Sequence, residues 1–171
     1  MGYYVKIVEP AEVMTLLTAS IEEYAYGGRL VDKKMTAADY FRHLDRTNPE
    51  HAYLAAYVES GPDDDTPDVD PSPAGVARIA FYDSPPTFHH LPGDARFVLV
   101  DEIYVAGPHR ARGTFAALVN TVRTYSLRRG VEYVFCRVGS RALARHFIGY
   151  GLHPLPVYTG RLRDLRLPEV F

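Results

Sequence analysis

The chain has 171 residues, 47% of them hydrophobic, and a formal net charge of -2. That length supports one sizeable core and is too short for two ordinary domains, so a single domain over residues 1–171 is expected. The small net charge offers no global attraction to nucleic acid or to an anionic membrane, the lone Cys136 excludes an internal disulfide, and the absence of a secretory leader or long apolar span points to the cytoplasm.

Residues 2–8 alternate as a first strand. Glu9-Pro10 then opens a helix with proline at its first position, and Val13, Leu16, Leu17, Ile21 and Tyr24 follow at helical spacing until Gly27-Gly28 stops it. Thr36 with Asp39 resembles a capping box ahead of a second helix, whose apolar side includes Tyr40, Phe41 and Leu44. Residues 51–59 read as a strand by their Tyr, Leu and Val content. The acidic, proline-rich "SGPDDDTPDVDPSPAG" continues neither element. As a calcium loop it lacks the glycine at the sixth position and the terminal glutamate, so a solvated connection between strands is the expectation. Residues 75–83 form the next strand. The irregular "SPPTFHHLPGD" follows, and its adjacent His89 and His90 would face opposite ways on an extended backbone, which is poor geometry for sharing a metal.

From Arg96 the pattern sharpens. Residues 97–105 make a strongly apolar strand, and Phe115, Leu118, Val119 and Val122 recur at helical spacing up to Gly130. Residues 131–138 read as a strand. A helix through Ala142, Leu143, Phe147 and Tyr150 ends at Gly149-Tyr150-Gly151, and residues 152–159 supply one or two short final strands. The order predicts an α/β (α+β) fold with a mixed sheet, in which the strands joined through the third helix lie parallel.

The stretch "VLVDEIYVAGPHRARGTFAALVNTV" carries the most chemistry. A helix beginning near Ala111 offers unpaired N–H groups and the positive end of its dipole, Gly113 permits close backbone approach, and Arg110 and Arg112 can add charge-assisted contacts. A pyrophosphate suits such a corner. The glycine-lysine-serine/threonine ending of a Walker loop is missing, as are the second and third glycines of the dinucleotide fingerprint. The other reading is a basic helix start satisfied by solvent and acidic neighbours.

"YVAGPHRARGTFAALVN" resembles the acetyl-CoA-binding corner of the Gcn5-related N-acetyltransferases, whose pattern is Arg or Gln, two residues, Gly, one residue, then Gly or Ala; Arg110 and Gly113 match it. "SRALARHFIGYGL" resembles that family's late helix, with Ser140, Ala144, Phe147, Gly151 and Leu152 at its marked places. The resemblance implies a mixed, mostly antiparallel sheet of six to seven strands with four helices, splayed between the fourth and fifth strands, and the pantetheine arm of the cofactor in that gap. It further implies main-chain pairing near Tyr104 and Val105, and pyrophosphate held by the N–H groups of Arg110, Ala111, Arg112, Gly113, Thr114 and Phe115. Ser140 and Phe147 complete the cofactor side. The co-substrate would be acetyl-CoA or another short acyl-CoA, with no metal. The acceptor would be a small-molecule amine or a protein amino group, attacked directly without a covalent enzyme intermediate. Nucleic acid and membrane are not indicated, and a homodimer is compatible.

Three residues depart from the family pattern, one of them Ser140, which replaces the usual asparagine and keeps a polar cap. Phe115 stands where Gly or Ala is preferred, either altering the phosphate approach or turning its ring into the core. Phe147 stands where many members carry the tyrosine that protonates the departing sulfur, leaving His146 and Tyr150 as the nearby alternatives. These departures keep open a non-catalytic acyl-CoA-binding protein of the same fold. Cys136 reads as a buried apolar thiol rather than a nucleophile, because nothing marks a partner base. For the base that deprotonates the amine, strand alternation sends Asp101 and Glu102 to opposite faces. Glu102, with the longer side chain, is the first choice and Asp101 the second.

Overall fold

The computed structural model of the chain describes residues 2–25, 36–48, 50–59, 72–83, 94–136, 141–154 and 158–161. In chain order these form β1 (Tyr3–Val8), α1 (Pro10–Ala25), α2 (Ala37–Thr47), β2 (His51–Val58), β3 (Gly75–Tyr82), β4 (Phe97–Val105), a 3₁₀ turn (Gly107–His109), α3 (Thr114–Arg128), β5 (Tyr133–Cys136), α4 (Arg141–Gly149), β6 (His153–Pro154) and β7 (Tyr158–Arg161). The glycine pair at 27–28, most of the acidic segment, His89-His90 and all but the first residue of the basic carboxyl-terminal run lie outside the described residues.

Local sequence signals account for most of the element boundaries. Proline opens α1, and the Thr36 hydroxyl caps α2 by accepting the Asp39 N–H at 3.1 Å. At the far end of α4, Gly151 takes a left-handed φ of 88° and the Leu152 N–H returns to the Phe147 carbonyl at 3.0 Å, closing the helix as glycine-terminated helices do.

The strands form one seven-stranded sheet in the order β1-β2-β3-β4-β5-β7-β6. Every pairing is antiparallel except β4 with β5, because α3 carries the chain back between those two strands. Among the described residues the β4–β5 ladder runs from Phe97↔Tyr133 to Val100↔Cys136. β4 continues to Val105 with β3 on one side, and residues 137–140, which follow β5, lie outside the described residues.

Each face of the sheet is covered by its own helices. Ile79, Val98, Val100, Ile103 and Val134 pack with Leu118, Val119 and Val122 of α3 and Phe147 of α4. The opposite face buries Tyr53, Tyr57, Val76 and Tyr104 beneath Val13 and Leu17 of α1 and Phe41 of α2. Gly75 permits the close approach of β3 to α3: a Cβ there would sit 3.0 Å from the Tyr104 carbonyl oxygen and 3.1 Å from Thr114 Cγ2.

The β3–β4 register contains an irregularity that decides where the acids go. Arg78 pairs with Glu102 and Ile79 with Val100, so Asp101 is an extra residue in β4, a β-bulge. Alternation therefore breaks. Asp101 pairs with Arg78, Glu102 accepts a hydrogen bond from Ser20 of α1 at 2.7 Å, and both side chains lie on the α1/α2 face. The expectation that they face opposite ways is corrected by this one inserted residue.

Arg78 is wholly buried, and its guanidinium is held by Asp101 on one side and by Asp45 of α2 at 2.8 Å on the other, with the Tyr53 hydroxyl donating to Asp45 at 2.9 Å. Burial works to depress the Arg78 pKa, but the facing Asp101 carboxylate and the hydrogen bonds to Asp45 and Tyr53 outweigh it and hold the group above its ordinary value. Removing one partner of such a pair strands a buried charge. Asp101→Asn should therefore cost about 3–5 kcal/mol in denaturant unfolding. Asp83→Asn, which breaks the exposed bridge to Arg96, should cost less than about 1 kcal/mol. Equal losses would show that the buried pair is not what holds this region.

Candidate functional site

The end of β4, the 3₁₀ turn and the start of α3 form the corner singled out by the sequence. α3 begins at Thr114, three residues later than the expected start near Ala111. The difference has a backbone cause. Ala111 and Gly113 both take positive φ, 58° and 92°, so the chain between Arg110 and Gly113 is a turn, and Gly113 caps the helix in a left-handed conformation. The first helical hydrogen bond runs from Ala117 N–H to the Gly113 carbonyl at 3.0 Å. The N–H groups of Gly113, Thr114, Phe115 and Ala116 therefore have no acceptor within the helix, and together with the helix dipole they favour an anion. The surface over Gly113 is open, since a Cβ there would meet nothing within 4 Å.

The side chains of this corner divide by task. Thr114 is buried and its hydroxyl donates to the His109 carbonyl at 3.1 Å, so only its backbone faces the corner. Phe115 turns its ring onto α4, with ring centroids 5.7 Å from His146 and 5.8 Å from both Phe147 and Tyr150. Of the two expectations for Phe115, packing against the core is the one observed. Arg110 is tied elsewhere: its Nε donates to the Val105 carbonyl at 2.9 Å, its Nη2 donates to Glu23 of α1 at 2.5 Å, and its guanidinium lies 5.4 Å from the centre of the Tyr104 ring. Arg112 is exposed and has no ion-pair partner among the described residues.

On the α1 side, a polar line runs along the second half of β4. Ser20 bonds Glu102, and the Tyr104 hydroxyl donates to Glu23 at 3.0 Å. The Arg110 hydrogen bond is the main influence holding the Glu23 carboxyl below its ordinary pKa, and the Tyr104 hydroxyl adds to it. Burial first and Glu23 second raise the Tyr104 phenol, which therefore stays a neutral donor. Glu102 is half-buried, whereas the Asp101 side chain is only 4% exposed and committed to Arg78.

On the opposite face, Phe147 is buried and lines an apolar cavity with Val100, Ile103, Val134, Cys136 and Leu152. Burial raises the Cys136 thiol far above its ordinary range, so it is neither thiolate nor nucleophile. Burial also raises the Tyr150 phenol. Ser140 lies outside the described residues. Among the described residues no group of three or more His, Cys, Asp or Glu is placed to hold a metal, and no helix is long and apolar enough to cross a membrane.

Sequence reasoning missed Ser20, Glu23 and Arg78. Only Arg78 left a signal: an arginine in the middle of the otherwise apolar strand "GVARIAFY" has to find a buried partner.

No protein-family model and no curated protein matches the chain by sequence. Solved structures do match its fold. A predicted acetyltransferase from Clostridium acetobutylicum, determined with acetyl-CoA, aligns with a TM-score of 0.61 at 15% identity, over 90% of this chain and 92% of that one. A GCN5-related N-acetyltransferase from Ralstonia eutropha gives a TM-score of 0.61 at 19% identity, over 90% and 94%. The chain has the Gcn5-related N-acetyltransferase fold. An aminoglycoside acetyltransferase from an uncultured soil metagenomic sample, in complex with sisomicin, aligns at a TM-score of 0.53 with 10% identity, over 86% and 85%.

Two measurements check the corner. Gly113→Ala should lose about 1–2 kcal/mol of stability from its left-handed φ alone, because the added methyl meets no neighbour. The Glu23–Arg110 pair is half-exposed, so its worth is below about 1 kcal/mol. Because the folded Glu23 value is depressed, that contribution is present above the ordinary carboxylate range and disappears as pH falls through the lowered value. An NMR titration of Glu23 should give a midpoint below the ordinary carboxylate value, and Arg110→Ala should move it upward; an unmoved midpoint would contradict the tie.

Proposed function

We propose that the protein is an N-acyltransferase that moves an acetyl or other short acyl group from acyl-CoA to an amine in a ternary complex. The observation that carries the reading is a single strand: β4 has a bulge that puts Glu102 on the α1 side and exits into a helix start whose N–H groups suit an anion. On this reading the N–H groups of Gly113 to Ala116, with Arg112, hold the pyrophosphate. Arg110 serves the corner indirectly by fastening the Val105 carbonyl to α1. The pantetheine arm lies beside the end of β4, pairing with main-chain groups near Tyr104 and Val105 as an added strand would.

The reaction is direct. The amine nitrogen attacks the thioester carbonyl, a C–N bond forms as the C–S bond breaks, and the electron pair leaves on sulfur. An ordinary amine is mostly protonated at neutral pH, so a base has to take its proton. Glu102 is assigned that role, through a water or directly, with Ser20 orienting its carboxylate. Asp101, the second candidate, is a poorer base because its charge neutralises Arg78. Phe147 cannot protonate the thiolate, which takes its proton from water; a thiol's ordinary pKa of about 8.5 makes that step easy. Positioning supplies most of the rate. Binding of CoA without turnover is the second reading, favoured only by the missing hydroxyl at Phe147.

Acetyl-CoA presented with a panel of small amines and lysine peptides, with thiol release and acylated product followed in parallel, separates the two readings. The enzyme reading expects both products in equal amounts, a loss of about tenfold or more in turnover for Glu102→Gln, and acyl-CoA affinity unchanged in that variant. Arg112→Ala should weaken acyl-CoA binding by about 1–3 kcal/mol. Gly113→Glu should abolish binding while the fold survives. Tight CoA binding with no acylated product from any amine would leave only the binding protein, and wild-type turnover in Glu102→Gln would remove the assigned base.

A further inference from the structure

We propose that Glu23, on the last turn of α1, is a positioning residue for the transfer: it sets α1 against β4 so that Ser20 meets the Glu102 carboxylate and aims it at the amine. The inference rests on the acyl-transfer reading above and adds to it a residue that stands apart from both the base and the phosphate corner.

The two elements match face to face. Ser20 and Glu23 lie three residues apart on α1, which puts them side by side on one face of the helix. Glu102 and Tyr104 lie two apart on β4, past the bulge, and so share a face of the strand. The pairs meet in order: Ser20 Oγ donates to Glu102 Oε1 at 2.7 Å, and the Tyr104 hydroxyl donates to Glu23 Oε2 at 3.0 Å. The same Glu23 oxygen accepts from Arg110 Nη2 at 2.5 Å, while Arg110 Nε donates to the Val105 carbonyl at 2.9 Å. One carboxylate oxygen thus gathers a donor from the strand that carries the base and a donor from the turn that leads to the phosphate corner.

The body of α1 does not depend on this contact. Val13, Leu17 and Ser20 are wholly buried at i, i+4 and i+7, and the two apolar ones pack in the core with Phe41, Tyr53 and Tyr104. Glu23 follows that stripe at its rim, where its pair with Arg110 is half-exposed and adds little to stability. Its effect is geometric. Apolar packing is non-directional: it sets how deeply α1 sits on the sheet, but not how far the helix rotates or slides along β4. A carboxylate that takes donors from a strand and a turn settles both.

Placement matters more than strength at this point. A base works only within hydrogen-bond reach of the proton it removes, and a misplacement of about 1 Å can cost about a hundredfold in rate. The donor side is held separately, because the positive φ of Gly113 and the start of α3 orient the N–H groups of Gly113 to Ala116. Loss of Glu23 therefore disturbs the base and spares the corner.

Steady-state kinetics with acetyl-CoA and the fastest-reacting amine of the panel test the role, beside calorimetric binding of CoA and thermal unfolding of each variant. Glu23→Ala should lower kcat about tenfold, with CoA affinity and the unfolding midpoint at their wild-type values. Glu23→Gln keeps an oxygen that accepts from Tyr104 and Arg110, and should recover most of that loss. Glu22→Ala removes the same charge from the neighbouring exposed residue, and should turn over as the wild type does. Because Glu23 acts through Glu102, Glu23→Ala should cost nothing further in a Glu102→Gln background. An equal loss in that background, wild-type kcat in Glu23→Ala, or matching losses from Glu22→Ala and Glu23→Ala would overturn the role, while acylated product from the wild type kept the acyl-transfer reading intact. CoA binding with no acylated product from any amine would overturn both.

Discussion

The Arg78 guanidinium has no exposed surface, and a charge in that position has to be neutralised and hydrogen-bonded where it lies. Its two carboxylates come from different elements, Asp45 from α2 and Asp101 from the bulge in β4. Meeting both demands fixes the height of α2 over the sheet and holds β4 in the irregular register that Asp101 requires. Charge neutralisation in the middle of the sheet therefore determines the geometry of the strand on which the proposed chemistry depends.

Once the bulge is fixed, the two faces of the sheet acquire different characters. The α1/α2 face carries Glu102, Glu23 and the Tyr104 hydroxyl, a hydrogen-bonded polar line suited to an amine and its proton. The α3/α4 face at the same level is aliphatic and closed by Phe147. Between them lies β4 itself, which runs on to Val105. The last constraint is at the corner, where the positive φ of Gly113 turns the chain so that α3 begins directly after β4 and its unpaired N–H groups face outward.

Much of this was legible because it is local. Proline at the start of α1, the Thr36 cap of α2 and the glycine exit of α4 are short-range signals and appear where the sequence puts them. The parallel pairing of β4 with β5 follows from the helix between them. What periodicity could not reveal is the bulge, because a register shift depends on a partner strand that no single segment encodes. The facing of Asp101 and Glu102 was therefore misjudged. The ties of Arg110 to Glu23 and of Glu102 to Ser20 join residues 87 and 82 positions apart, and nothing in either segment announces the other. α3 starts later than its sequence alone suggests because "RARG" contains good helix formers whose backbone is turned by Ala111 and Gly113 instead.

The central claim is that the end of β4 and the start of α3 together receive one ligand, CoA. Amide hydrogen exchange with and without CoA tests it directly, because it reads backbone groups on both elements in a single experiment. The account predicts added protection at residues 101–105 and 113–116, with little change on β1 or α2. Protection confined to other segments, or none at saturating CoA, would contradict it.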